Sequence, residues 1–130
     1  MAFIWYDDAA KSNNIGRKGA LRVEELMYNE LVRGLLSLLP SQAVQIVLYG
    51  SVARGTADPD SDIDIALFVN GPLTREQEEQ LSDLIVDLNL RYNKVFSVVD
   101  INQETYLKWK NVTPFYQNVD REGIVLWKAA

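Results

Sequence analysis

The chain has 130 residues, 48% hydrophobic and 24% charged, with a formal charge of −5. That length suits one domain with a single core, and the acidic balance argues against direct nucleic-acid binding, which needs a basic footprint. There is no cysteine and no histidine, which excludes a disulfide framework, thiolate or imidazole metal sites and His-based acid–base chemistry.

Residues 1–16 show no clear period and are expected to form an N-terminal arm, with Phe3, Ile4, Trp5 and Tyr6 as its apolar patch. The arm lacks a basic start and carries Asp7 and Asp8, so it is a poor secretory signal. No apolar run approaches the ~18 residues needed to cross a bilayer, and the expected compartment is the cytoplasm. The domain proper is expected over 17–130.

From about Arg17 to Leu39, Leu21, Leu26, Met27, Leu31, Val32, Leu35, Leu36 and Leu39 follow helical spacing, and Pro40 ends the helix. Val44 to Tyr49 reads as a mostly buried strand and Gly50 to Pro59 as a loop. Asp62 to Val69 begins in strict alternation and is a second strand, broken by Asn70, Gly71 and Pro72. A helix starts at Thr74, which makes a capping-box pattern with Gln77, and carries Leu81, Leu84, Ile85 and Leu88 on one face. Val95 to Ile101 is a third strand, followed by a short helix over Gln103 to Lys110. The tail from Pro114 to Trp127 is mixed. This order gives an α/β or α+β domain with a small sheet.

The chemistry concentrates between Tyr49 and Val69. Gly50 follows a buried strand and has no Cβ, so a ligand can approach its backbone closely. Ser51 adds a hydroxyl, and the turn can aim amide N–H groups at phosphate oxygens. Ten residues separate Ser51 from Asp62. Asp62 and Asp64 are two apart on a strand, so both carboxylates project from one face, with Cα atoms roughly 6–7 Å apart. That suits Mg²⁺ held by carboxylates, water and substrate phosphates. Ile63 and Ile65 point into the core.

Three other readings compete for the same stretch. Gly50, Gly55 and Thr56 nearly fit a P-loop, but its lysine is missing. Asp58, Asp60 and Asp62 imitate the start of an EF-hand loop, but Ile63 and Val69 stand where glycine and glutamate are required. Asp58 and Asp60 read as a solvated loop. Asp62 and Asp64 do not, because two unpaired carboxylates side by side on a strand repel.

The run from Gly50 to Val69, GSVARGTADPDSDIDIALFV, resembles the signature of the DNA polymerase β-like nucleotidyltransferase superfamily: Gly-Ser, about ten residues, then Asp-x-Asp. It is most similar to the minimal nucleotidyltransferases (MNT), which include the MntA-type antitoxins paired with HEPN-domain toxins. The resemblance implies a nucleotidyltransferase fold, a small mixed sheet flanked by helices. It also implies an enzyme that moves AMP from ATP onto a hydroxyl, with two Mg²⁺ ions. Gly50 and Ser51 would hold the triphosphate, and Asp62 and Asp64 would be catalytic and ligate the metal. Arg54 and Thr56 are further nucleotide-binding candidates, Arg54 reading equally as a solvated cation.

Family enzymes add a third carboxylate on the neighbouring strand. Asp100 is the candidate, as both catalytic group and metal ligand; the family position could instead fall on Ser97 or Val99, with Asp100 capping the next helix. The implied acceptor is a protein such as a cognate HEPN toxin. A small-molecule acceptor, or a non-catalytic subunit that blocks a partner by contact, are the alternatives. Homo- and hetero-oligomers are both compatible with the sequence. Trp5, Trp109, Trp127 and Tyr116 read as core or interface residues before base-stacking platforms.

Overall fold

The apolar stripe of the first long helix is consumed by the core: Leu31, Val32 and Leu35 are fully buried, with Met27, Tyr28 and Leu39 beside them. Leu26, expected on the same stripe, is 57% exposed, since it sits one residue off the face that Met27, Leu31 and Leu35 share. The structure, a computed structural model, describes residues 18–130; the expected arm at 1–16 and its Trp5 lie outside them.

The elements are α1 (Lys18–Leu38), β1 (Ala43–Tyr49), α2 (Gly50–Arg54), β2 (Ile63–Val69), α3 (Arg75–Tyr92), β3 (Phe96–Asn102), α4 (Gln103–Trp109), α5 (Pro114–Glu122) and β4 (Ile124–Lys128). They form a mixed four-stranded sheet of order β3-β2-β1-β4. β1 runs antiparallel to both β2 and β4, and β3 runs parallel to β2. The parallel pair requires a crossover, which α3 supplies. Its start is fixed by the expected capping box: Gln77 N–H donates to Thr74 Oγ1 at 3.1 Å, and Thr74 N–H donates to Gln77 Oε1 at 2.9 Å.

Alternation along β2 divides the interior into two layers. Ile63, Ile65, Leu67 and Val69 join Ile46, Leu48 and Phe96 under α1 and α3. Ala66 and Phe68 join Val47, Ile101 and Val119 on the opposite face, under α4 and α5. Both faces are covered, which is why β2 reads as an almost continuous apolar run after Asp64.

Two expectations change. The segment expected as a loop from Gly50 begins as the short helix α2, and the mixed tail resolves into α5 and the edge strand β4. Pro114 stands at the first helical positions of α5 and Gly123 directly after it, a start and stop that define the helix. β4 then pairs with β1. Trp127 packs against the larger core and Tyr116 against the smaller one, whereas Trp109 is 46% exposed.

Candidate active site

The turn from β1 into α2 is built around Gly50. Its φ of +77° belongs to the left-handed region, which favours a residue without Cβ. A Cβ built there would lie 2.3 Å from Asp64 Oδ2, so the backbone of Gly50 and the carboxylate of Asp64 are packed against each other. α2 is closed by Gly55, also left-handed at φ +76°, whose N–H donates to the carbonyls of Ser51 and Val52. Thr56 reinforces the closure: its N–H donates to the Ser51 carbonyl at 3.0 Å and its hydroxyl to the same oxygen at 3.4 Å. Val52 and Ala53 pack on the core. Ser51 is half-buried and Arg54 exposed at the same turn.

Asp62 immediately precedes β2 and Asp64 is its second residue. Ile63 and Ile65, 4% and 0% exposed, turn into the layer under α1 and α3, so Asp62 and Asp64 share the other face. Burial, and then the neighbouring Asp62 carboxylate, push Asp64 above the usual carboxylate range, while the Arg54 guanidinium opposes the shift. Two acids and a cation thus meet beside an open backbone turn. Asp58 instead folds the loop before the strand. Its Oδ1 accepts the Asp60 N–H at 2.9 Å and the Ser61 hydroxyl at 3.3 Å.

Tyr49 and Asp64 are cross-strand partners. Burial and then the Asp64 carboxylate raise the Tyr49 phenol above its ordinary range. Its ring meets Phe115 edge to face at 5.6 Å. Arg54 Nη1 forms an ion pair with Glu122 Oε2 at 2.7 Å, tying α2 to α5. Sequence reasoning assigned no role to Tyr49, Phe115 or Glu122. The signal that could have placed the last two was the Pro114 and Gly123 bracket around a helix.

The structure does not bring Asp100 to this face. β2 and β3 pair in parallel with Asp64 opposite Ser97 and Leu67 opposite Asp100. Partners in register point the same way, so Asp100 follows Leu67 toward α3 and lines a groove with Leu81, Ile85 and Val98. Ser97 and then Val99 occupy the Asp64 face. Among the described residues no three His, Cys, Asp or Glu side chains converge as a metal cage. Asp100 does not cap α4 either: that cap is Asn102, whose side chain accepts the Thr105 N–H at 3.1 Å. The donor set therefore fits a hard divalent cation held by two carboxylates, its remaining positions left for water and phosphate oxygens. Among the described residues no third carboxylate joins it.

Among the described residues no helix is long and apolar enough to cross a membrane. The profile of the nucleotidyltransferase domain family matches residues 29–115. A relative from Methanocaldococcus jannaschii, named "Putative protein adenylyltransferase", is 33% identical over 104 residues, covering 80% of this chain and 98% of that protein. A chain from the complex of a tri-AMPylated Shewanella oneidensis HEPN toxin with an MNT antitoxin superposes with TM-score 0.53 at 21% identity, covering 81% of this chain and 72% of that one. Spectinomycin adenyltransferase from Enterococcus faecialis, solved with ATP and spectinomycin, superposes with TM-score 0.70 at 16% identity. That match covers 82% of this chain but only 56% of that enzyme, and at such identities both superpositions speak for the fold. The profile match and the 33% identical relative make this chain a nucleotidyltransferase, a member of the nucleotidyltransferase domain family.

Proposed function

We propose that the protein transfers AMP from ATP to a hydroxyl group of a protein acceptor and releases pyrophosphate. The observation that carries this reading is the packing of Gly50 against Asp64, a Cβ on Gly50 falling 2.3 Å from Asp64 Oδ2. It sets the turn where phosphates can approach the backbone directly against the acidic pair. Gly50 and Ser51 would receive the triphosphate. Arg54 is the nearby cation for its negative charge, and Thr56 shapes the turn. Asp62 and Asp64 would hold Mg²⁺ together with phosphate oxygens. When bound, such ions stabilise charge on the attacking and leaving oxygens of an in-line displacement.

The acceptor oxygen attacks the α-phosphorus, the bond from that phosphorus to the bridging oxygen of the β-phosphate breaks, and pyrophosphate leaves. The hydroxyl proton passes to water, since Asp100 faces away. What the chain supplies beyond this is alignment, the main demand of this chemistry.

A protein acceptor is favoured by the name of the Methanocaldococcus jannaschii relative. A HEPN-domain partner is favoured by the fold shared with a chain of the tri-AMPylated toxin complex. A HEPN-domain protein incubated with this chain, ATP and Mg²⁺ is expected to gain one or more adenylyl groups by intact-mass spectrometry. A partner that binds but keeps its mass would contradict the proposal. One observation favours a second reading, a contact-acting binding subunit with a weakened site: Ser97, not a carboxylate, stands level with Asp64.

A further inference from the structure

We propose that the turn from α4 into α5 is the docking surface for the acceptor, and that it takes an acidic polypeptide segment with an apolar anchor. The inference rests on the protein adenylylation of the proposed function and names the chemistry of the acceptor.

The segment after β3 returns along the sheet face that carries Asp62 and Asp64. The Tyr106 ring meets Phe68, four residues beyond Asp64 on β2, with centroids 4.8 Å apart. The Phe115 ring meets Tyr49, the cross-strand partner of Asp64, at 5.6 Å. From Tyr106 to Phe115 the chain therefore travels toward the carboxylates, and the turn between them stands at the carboxylate end of the sheet.

On that stretch Leu107, Trp109, Val112 and Phe115 are all exposed. Single exposed apolar side chains are ordinary, whereas several large ones gathered beside a site mark an interaction surface. The turn that carries them is also held in place. The N–H groups of Val112 and Thr113 both donate to the Trp109 carbonyl at 3.0 Å. Gln117 Nε2 donates to the Asn111 carbonyl at 2.8 Å, and the Tyr106 hydroxyl donates to Asp120 Oδ1. An ordered apolar surface loses little freedom when a partner covers it.

Charge sets the sign of the partner. Lys108 Nζ lies 5.4 Å from the Trp109 ring centroid and Lys110 Nζ 6.0 Å from that of Tyr106, both within cation–π reach. From Gln103 to Thr113 two lysines stand against one acid, Glu104, in a chain of formal charge −5. Two cations among aromatic and aliphatic groups are too few for a nucleic-acid backbone. They suit carboxylates that flank an apolar anchor. A segment so held would present a neighbouring hydroxyl to the Asp62 and Asp64 face.

The test uses fluorescein-labelled heptapeptides and reads binding by fluorescence anisotropy. The acidic peptide Glu-Asp-Leu-Tyr-Leu-Asp-Glu is expected to bind about ten-fold more tightly than Lys-Arg-Leu-Tyr-Leu-Arg-Lys, although the acidic chain as a whole attracts the basic one. Glu-Asp-Gly-Tyr-Gly-Asp-Glu, without the apolar anchors, should bind about ten-fold more weakly. Lys108→Gln/Lys110→Gln should weaken the acidic peptide about five-fold and Trp109→Ala about ten-fold, while Lys108→Arg/Lys110→Arg retains it.

No binding, a preference for the basic peptide, or unchanged affinity in the lysine pair variant with native circular dichroism would each overturn the inference. So would a dimer of the chain that Trp109→Ala abolishes, since a second copy would then own the face. If Trp109→Ala fails to fold, the lysine pair variant decides. Adenylyl transfer to a HEPN-domain partner, measured beside the peptides, separates the two failures. Undiminished transfer by the lysine pair variant sinks only this inference. An unaltered chain that binds the acidic peptide but transfers nothing sinks the proposed function and leaves the docking surface standing.

Discussion

Gly50 and Asp64 occupy one shared volume: the space a side chain on Gly50 would need is filled by Asp64 Oδ2, 2.3 Å from the ideal Cβ position. The contact joins the end of β1 to the start of β2 and fixes where the turn stands relative to the carboxylates.

Gly50→Ala should therefore be costly in two separable ways. The left-handed backbone at φ +77° adds strain on the order of 1–3 kcal/mol for a residue with a Cβ, and the carboxylate must move. Urea unfolding should show a loss of about 2–4 kcal/mol, from that strain together with the overpacking. Gly50→Ala/Asp64→Ala should recover the steric part and keep the backbone part. Equal stability of the single and double variants would show that the contact is not tight.

Arg54 is expected to divide its charge between Glu122 and an incoming phosphate. The ion pair is partly exposed, at 46% and 20% for its two side chains, and pairs of this kind contribute about 0.2–1 kcal/mol. Glu122→Gln should accordingly tighten ATP binding by up to about five-fold, and Arg54→Ala should weaken it, both by calorimetric titration. An unchanged Kd in both variants would remove Arg54 from the nucleotide site.

Alkaline stability should depend on Tyr106. Burial first, then its hydrogen bond to Asp120, raise its phenol to about 12, against about 10 for a free phenol. The folded state therefore keeps this proton more tightly than the unfolded chain does. Its contribution is complete below pH ~10 and is lost as pH rises from there through about 12. Tyr106→Phe should flatten that decline in unfolding free energy, and an absorbance titration should lose a phenol that titrates at about 12. A decline of the same slope in both proteins would contradict the assignment.

The capping box at Thr74 offers a test away from the site. Thr74→Ala removes the acceptor for the Gln77 N–H and should cost ~0.5–2 kcal/mol by thermal unfolding, with ATP affinity unchanged.

Much of this was legible in the residues because local chemistry determined it. The alternation of Asp62, Ile63, Asp64 and Ile65 fixed which side chains face the core, and Thr74 with Gln77 fixed the start of α3. The α2 helix was hidden because five residues carry no period, and Gly50 and Gly55 read as turn residues. α5 and β4 were hidden because their aromatics alternate with polar groups, until the helix packs on one face of the sheet and the strand pairs with β1. Asp100 shows the limit most clearly. Its position late in β3 was visible, but its face depends on the register with β2. A displacement by a single residue moves a strand side chain to the other face.

The most direct measurement compares transfer from ATP labelled at the α-phosphate with transfer from ATP labelled at the γ-phosphate, onto a HEPN-domain partner, using the unaltered chain and Asp62→Asn/Asp64→Asn. An Asp62 and Asp64 adenylyltransferase site predicts label on the partner from the α position only, abolished in the double variant. Label from the γ position, or undiminished α-label with both carboxylates replaced, would contradict it.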